Sequence, residues 1–167
     1  ETLKIQECLI GYDSVDYTPL LASSWAFEIF EGAEGITFNL NRGVPWHDTK
    51  YGTLSGEDVH WIYTEANREG TIAHHSQFWF RDFENQRLLD SHTLRWDWAR
   101  GPTLLWSKLV AHQGQCQPIA SQGQYLDRGE DYVQANPIGT GPYKLIEHAA
   151  NDLIILEAVK NHWRQSA

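Results

Sequence analysis

The sequence predicts an α+β fold with a mixed, largely antiparallel sheet and flanking helices, on three observations. Segments of strand period come in neighbouring pairs joined by short connections, as in Trp25–Phe30, then EGAEG, then Ile36–Leu40. One long segment, residues 55–70, has helical period and helical end signals. Helices and strands are also interspersed without the strict strand-helix alternation that a parallel sheet requires.

Taken in chain order, TLKIQECLI at residues 2–10 sets Ile5, Cys8 and Leu9 at helical spacing after a threonine able to cap, which predicts a short helix. YDSVDYTPLLASSW follows, turn-rich as far as Pro19. In the second strand Ile36, Phe38 and Leu40 alternate with Thr37 and Asn39, the pattern of a sheet with one wet face. SGEDVHWIYTEANREG, residues 55–70, opens with Ser55 and Asp58 in capping-box relation and closes at Gly70, while Val59, Ile62, Tyr63 and Ala66 form the stripe that docks on a sheet. Leu94, Trp96 and Trp98 alternate with Arg95 and Asp97 as a further strand. Gly101 and Pro102 open a second helix through about Ala111, proline suiting a first helical position. HQGQCQPIASQGQ, residues 112–124, reads as turns, and Tyr143–Glu147 and Leu153–Glu157 as two strands joined by HAAND.

Composition bounds the function classes. The 167 residues suffice for one or two cores, and no apolar run approaches the roughly 18 residues that span a bilayer. A net charge of −9 without a basic stripe disfavours nucleic acid and anionic lipid as partners. Met is absent and no charged, then apolar, leader precedes Glu1, so the first residue reads as a processed or excised start. Cys8 and Cys116 could pair, stay free or be buried. Eight Trp, seven Tyr and six Phe supply rings for a core or for a ligand cleft.

Candidate chemistry is sparse. His47-Asp48 and His74-His75 are the densest histidine groups, but the His-x-x-x-His spacing that sets two imidazoles on one helical face is missing, so no resident metal or other cofactor is assigned. A metal-dependent hydrolase using His47, Asp48, His74 and His75 is the alternative of another class. No Gly-x-Ser-x-Gly elbow occurs, and nothing beside Cys116 would lower a thiol pKa. Gly139-Thr140-Gly141 lacks the Lys-Ser/Thr of a phosphate loop and leads into a strand, which makes it a turn. Glu57 and Asp58 are explained by the dipole of the helix they begin.

Three segments carry a resemblance: LLASSWAFEIFEGAEGITFNLNRGVPWHD, SGEDVHWIYTEA, and NPIGTGPYKLIEHAANDLIILEAVKNHW, together spanning residues 19–163. They resemble, in this order, the family 5 extracellular solute-binding proteins of ABC importers, the dipeptide, oligopeptide and nickel class. Two departures stand out: Ser55-Gly56 replaces Thr-Ala, and Asp48 leads into TKYGTL where relatives have glycine and a short link.

The resemblance implies a two-lobed clamp that closes on a small solute, most simply a peptide, and delivers it to an ABC permease without catalysis. A nickel chelate or other non-peptide solute is the alternative cargo. It implies that residues 1–167 are a partial first lobe with an inserted subdomain at roughly 25–135 and a return to the main sheet at roughly 136–163, the second lobe lying elsewhere in the polypeptide. It places the protein in the periplasm, or lipid-anchored on the outer face of the cytoplasmic membrane. Phe78 and Trp79 become candidate stacking surfaces and Gln115 a polar contact for the solute. Gly139, Thr140, Gly141 and Pro142 become an architectural turn steering the chain back into the lobe, with Gly141 expected at positive φ.

Overall fold

The computed structural model describes residues 2–66, 83–98, 116–149 and 152–165. The chain opens with helix α1 (Thr2–Ile5) and the hairpin β1 (Ile10–Tyr12)–β2 (Tyr17–Pro19), and continues through β3 (Ala22–Phe30), β4 (Ala33–Leu40), helix α2 (Gly56–Ala66), β5 (Phe83–Asp90) and β6 (Thr93–Trp98). Helices α3 (Gln122–Arg128) and α4 (Glu130–Ala135) follow, then the hairpin β7 (Tyr143–Ala149)–β8 (Leu153–Ala158). Among the described residues all strand pairs are antiparallel, and the central four-stranded sheet has the order β3-β4-β6-β5.

The expected strand pair forms, but its connection is shorter than EGAEG, since β4 already begins at Ala33. Phe30 pairs with Ala33 across a loop of Glu31 and Gly32, both at positive φ (51° and 85°), the twist that suits a two-residue hairpin. On one face of the sheet Ile36, Phe38, Leu40, Leu94 and Trp96 are buried against Val59 and Tyr63 of α2. The Trp96 indole meets the Phe38 and Tyr63 rings edge-on, with centroids 4.8 and 4.5 Å apart. Such contacts each add about 0.5–1.5 kcal/mol beyond area burial. At the start of α2, Asp58 accepts from the Ser55 amide and hydroxyl and also from the Gln122 amide, so one carboxylate caps α2 and ties α3 to it.

Several expectations are corrected. The first helix ends at Ile5, because the main chain at Cys8 and Leu9 is used to accept the amides of Leu21 and Ala22. The turn-rich segment before Pro19 contains the short pair β1–β2, and residues 122–135 form two helices where turns or no element were expected. Their caps are Ser121, which accepts from the Gln124 amide, and Gly129. Strand β5 was not marked by clear alternation, since FENQRLLD carries its apolar residues at both ends. The helix expected from Gly101 and the end of the 55–70 helix lie outside the described residues.

The polar face of β6 is not wet. Arg95 is fully buried and Asp97 nearly so, joined at 2.8 Å. Arg95 also donates to the carbonyls of Glu28 and Ala33 at 3.0 and 2.8 Å, and Arg87 reaches the second Asp97 oxygen at 3.0 Å. Gly35 makes room for this: a Cβ there would stand 2.8 Å from the Arg95 guanidinium.

Candidate functional site

The most densely bonded polar centre among the described residues surrounds the Gly139–Pro142 turn. Both glycines lie on the main chain of residues 4–6, and the Gly141 amide donates to the Ile5 carbonyl at 2.9 Å. Gly141 is not at positive φ; a glycine is needed because a Cβ would stand 2.7 Å from the Ile5 oxygen. The expected left-handed conformation is thereby corrected to a close backbone approach, which equally excludes a side chain.

His47 grips the turn from the opposite side. Its amide donates to the Gly139 carbonyl at 2.9 Å, its Nδ1 accepts from the Gly139 amide at 3.2 Å, and its Nε2 lies 2.8 Å from the Gly141 oxygen. An Nδ1 that accepts leaves the proton on Nε2, so the geometry selects the neutral Nε2–H tautomer. Burial pushes the imidazole pKa below 6.5, and the nearby His162 and Lys144 act in the same direction against the Gly141 carbonyl and Glu7.

Glu7 organises the third side. Buried to 3 % exposure, it accepts from the Thr140 hydroxyl at 2.9 Å and the Trp163 indole at 3.0 Å, and it pairs with Arg164 at 2.6 Å. His162 Nε2 lies 2.8 Å from the Thr140 carbonyl, which also receives the Trp163 N–H at 3.1 Å. The Glu7 carbonyl accepts from Ile119, and the adjacent Cys8 is disulfide-bonded to Cys116. Residues 5–8, 47, 116–119, 139–141 and 162–164 are thus fastened around one turn. A cavity of about 390 Å³ opens beside it, lined among others by His47, Lys144, Glu157, Lys160 and His162.

Each sequence-derived candidate can now be placed. Gly139, Thr140 and Gly141 are buried and Pro142 is half-buried. His47 holds main chain, and Asp48 caps the 3₁₀ turn Thr49–Tyr51 by accepting from the Lys50 amide, which accommodates the inserted TKYGTL. Both residues thus hold main chain, His47 through both ring nitrogens and Asp48 through one carboxylate oxygen. Among the described residues no three His, Cys, Asp or Glu side chains come together around a metal position. Phe78, Trp79, Gln115, His74 and His75 lie outside the described residues. The sequence reading missed Glu7, His162 and Arg164; the available signal was a lone carboxylate inside the apolar stretch Ile5–Ile10.

Comparison with known proteins places this geometry. The pattern of bacterial extracellular solute-binding proteins, family 5, middle region, matches residues 16–167. The chain is 28% identical over 175 residues to the probable ABC transporter periplasmic-binding protein SapA of Escherichia coli (strain K12), covering 93% of this chain and 31% of that protein. To the di/tripeptide-binding protein 3 of Pseudomonas aeruginosa (strain UCBPP-PA14) it is 25% identical, covering 87% and 30%. The crystal structure of the binding protein MoaA from A. tumefaciens R10, in complex with mannopinic acid, superposes with a TM-score of 0.81 at 21% identity, over 96% of this chain and 32% of that one. The chain therefore spans about a third of the length of these relatives, and it belongs to the bacterial extracellular solute-binding proteins, family 5.

Proposed function

We propose that the chain is part of the first lobe, with its inserted subdomain, of an ABC-importer binding protein that captures a small solute, a short peptide in the first instance, and hands it to a membrane permease. The family match over residues 16–167 carries this reading. The di/tripeptide-binding protein 3 of Pseudomonas aeruginosa, at 25% identity, favours peptide as cargo. In this reading the subdomain comprises roughly residues 25–135, the Gly139–Pro142 turn returns the chain to the lobe, and capture proceeds by lobe closure without turnover. Phe78, Trp79 and Gln115 are the proposed solute contacts on this lobe.

Two structural features support the reading. Hairpin β7–β8 leaves Ile146, Leu153, Ile154 and Ile155 at 39–53 % exposure, with Ile154 on the face opposite its neighbours. A two-stranded sheet that is apolar on both faces calls for further cover, which the remainder of a chain three times this length would supply. The Cys8–Cys116 bond suits an oxidising compartment, in keeping with a periplasmic or outer-face, lipid-anchored location.

Calorimetric titration of the full-length protein with di- and tripeptides, with a nickel–histidine chelate as competitor class, tests the proposal. Saturable peptide binding without hydrolysis is the expected outcome. Peptide cleavage that a chelator abolishes would overturn it.

A further inference from the structure

Two imidazoles grip the Gly139–Pro142 turn, and they respond differently to a proton. His162 meets the Thr140 carbonyl through Nε2 alone, an N–H donor bond that persists when the ring is charged. His47 uses both nitrogens, and its Nδ1 must accept from the Gly139 amide. A proton on Nδ1 would set two donors against each other across 3.2 Å. From this pairing we infer that His47 is a proton-operated latch: neutral, it clamps the Gly139–Gly141 turn to residues 46–48; protonated, it releases the Gly139 amide and loosens the seat of hairpin β7–β8.

The surroundings favour release once the proton arrives. Lys144 of β7, and Lys160 and His162 beyond β8, line the cavity that His47 also lines. Glu157 of β8 is paired with Lys144 at 3.2 Å, and Glu7, from the segment after α1, is paired with Arg164 at 2.6 Å. Asp48 spends one oxygen on the Lys50 amide. Burial is the main force against a charged His47, and His162 and Lys144 add to it; Glu7 and the Gly141 carbonyl oppose it, Glu7 being already paired with Arg164. The open cavity of about 390 Å³ brings water to His47 and to Thr140 and Gly141 of the turn. The hairpin depends on the same turn, since β7 begins at Tyr143 and the Val159 amide donates to the Pro142 carbonyl at 2.8 Å.

Amide exchange of Gly139, corrected for the intrinsic rate, reads the latch directly in the protein. As pH falls below 6.5, the ordinary value for an imidazole, the opening equilibrium should rise about tenfold per pH unit, then level off once the clamped ring itself protonates. Nitrogen-15 spectra should show the Nε2–H tautomer of His47 with a midpoint below 6.5. In His47→Gln, whose amide offers one acceptor and one donor but does not titrate, the rise should vanish. A His47 midpoint at or above 6.5, a flat Gly139 response in the wild type, or an unchanged rise in His47→Gln each overturns the latch. If His47→Gln does not fold, the two wild-type measurements decide.

Discussion

Gly141 donates its amide to the carbonyl of Ile5 at 2.9 Å, across 136 positions of sequence, at a distance that leaves no volume for a side chain. Gly141→Ala must therefore push the turn away from residues 4–6 or break that bond. We expect a loss of about 2–3 kcal/mol, the range of overpacking in a dense interior, measured as a lower urea midpoint at constant slope. Gly32 provides the contrast: its φ is 85° but nothing lies within 4 Å of a Cβ, so Gly32→Ala should cost only about 1 kcal/mol.

Glu7 accepts from Thr140 and Trp163 and is ion-paired with Arg164. Glu7→Ala leaves a buried hydroxyl without its acceptor and costs the indole one of its two, while Arg164, at 40 % exposure, can turn to solvent. A destabilisation of about 2–4 kcal/mol is expected in chemical unfolding. Glu7→Gln, which keeps one carbonyl acceptor, should retain about half of the lost stability.

Arg95 has no exposure and spends its guanidinium on Asp97 and two carbonyls. Truncation to Ala strands those acceptors in the sheet and should cost about 3–5 kcal/mol. Lys in its place keeps the charge but not the planar fork, so Arg95→Lys should also lose about 1–3 kcal/mol. Equal thermal midpoints for Arg95→Lys and wild type would remove the fork from the explanation.

The disulfide joins positions 108 apart in sequence, beside the Glu7 centre. Closing so long a loop in the unfolded chain is worth about 2–4 kcal/mol. A Cys8→Ser/Cys116→Ser double variant should lose that amount and become insensitive to reductant. Both sulfurs belong to residues with at most 4 % exposure, so native protein should resist mild reduction until it begins to unfold.

The sheet and its main helix were readable from local pattern. Alternation at Ile36–Leu40 and Leu94–Trp98, the stripe Val59–Ile62–Tyr63 and the Ser55–Asp58 cap each concern groups within one or two turns or one strand pair, where chemistry and geometry are set by neighbours in the chain. Helix α3 escaped because its glutamine-rich sequence has no apolar stripe, and it is held by the Ser121 cap and by Asp58 from another helix. The Arg95–Asp97 alternation gave the strand but not its surroundings: charge marks a wet face only when no other segment supplies partners, and here Glu28, Ala33 and Arg87 do.

What the amino-acid order settled alone was the α+β class, the strand pairs β3–β4 and β7–β8 and, through three motifs spread over residues 19–163, the family. The role of Gly141, the tautomer of His47, the burial of Glu7 and the pairing of Cys8 with Cys116 were decided by tertiary structure. Each depends on which groups meet across roughly 90 to 160 residues of chain, and no local period or propensity encodes a distance of that kind.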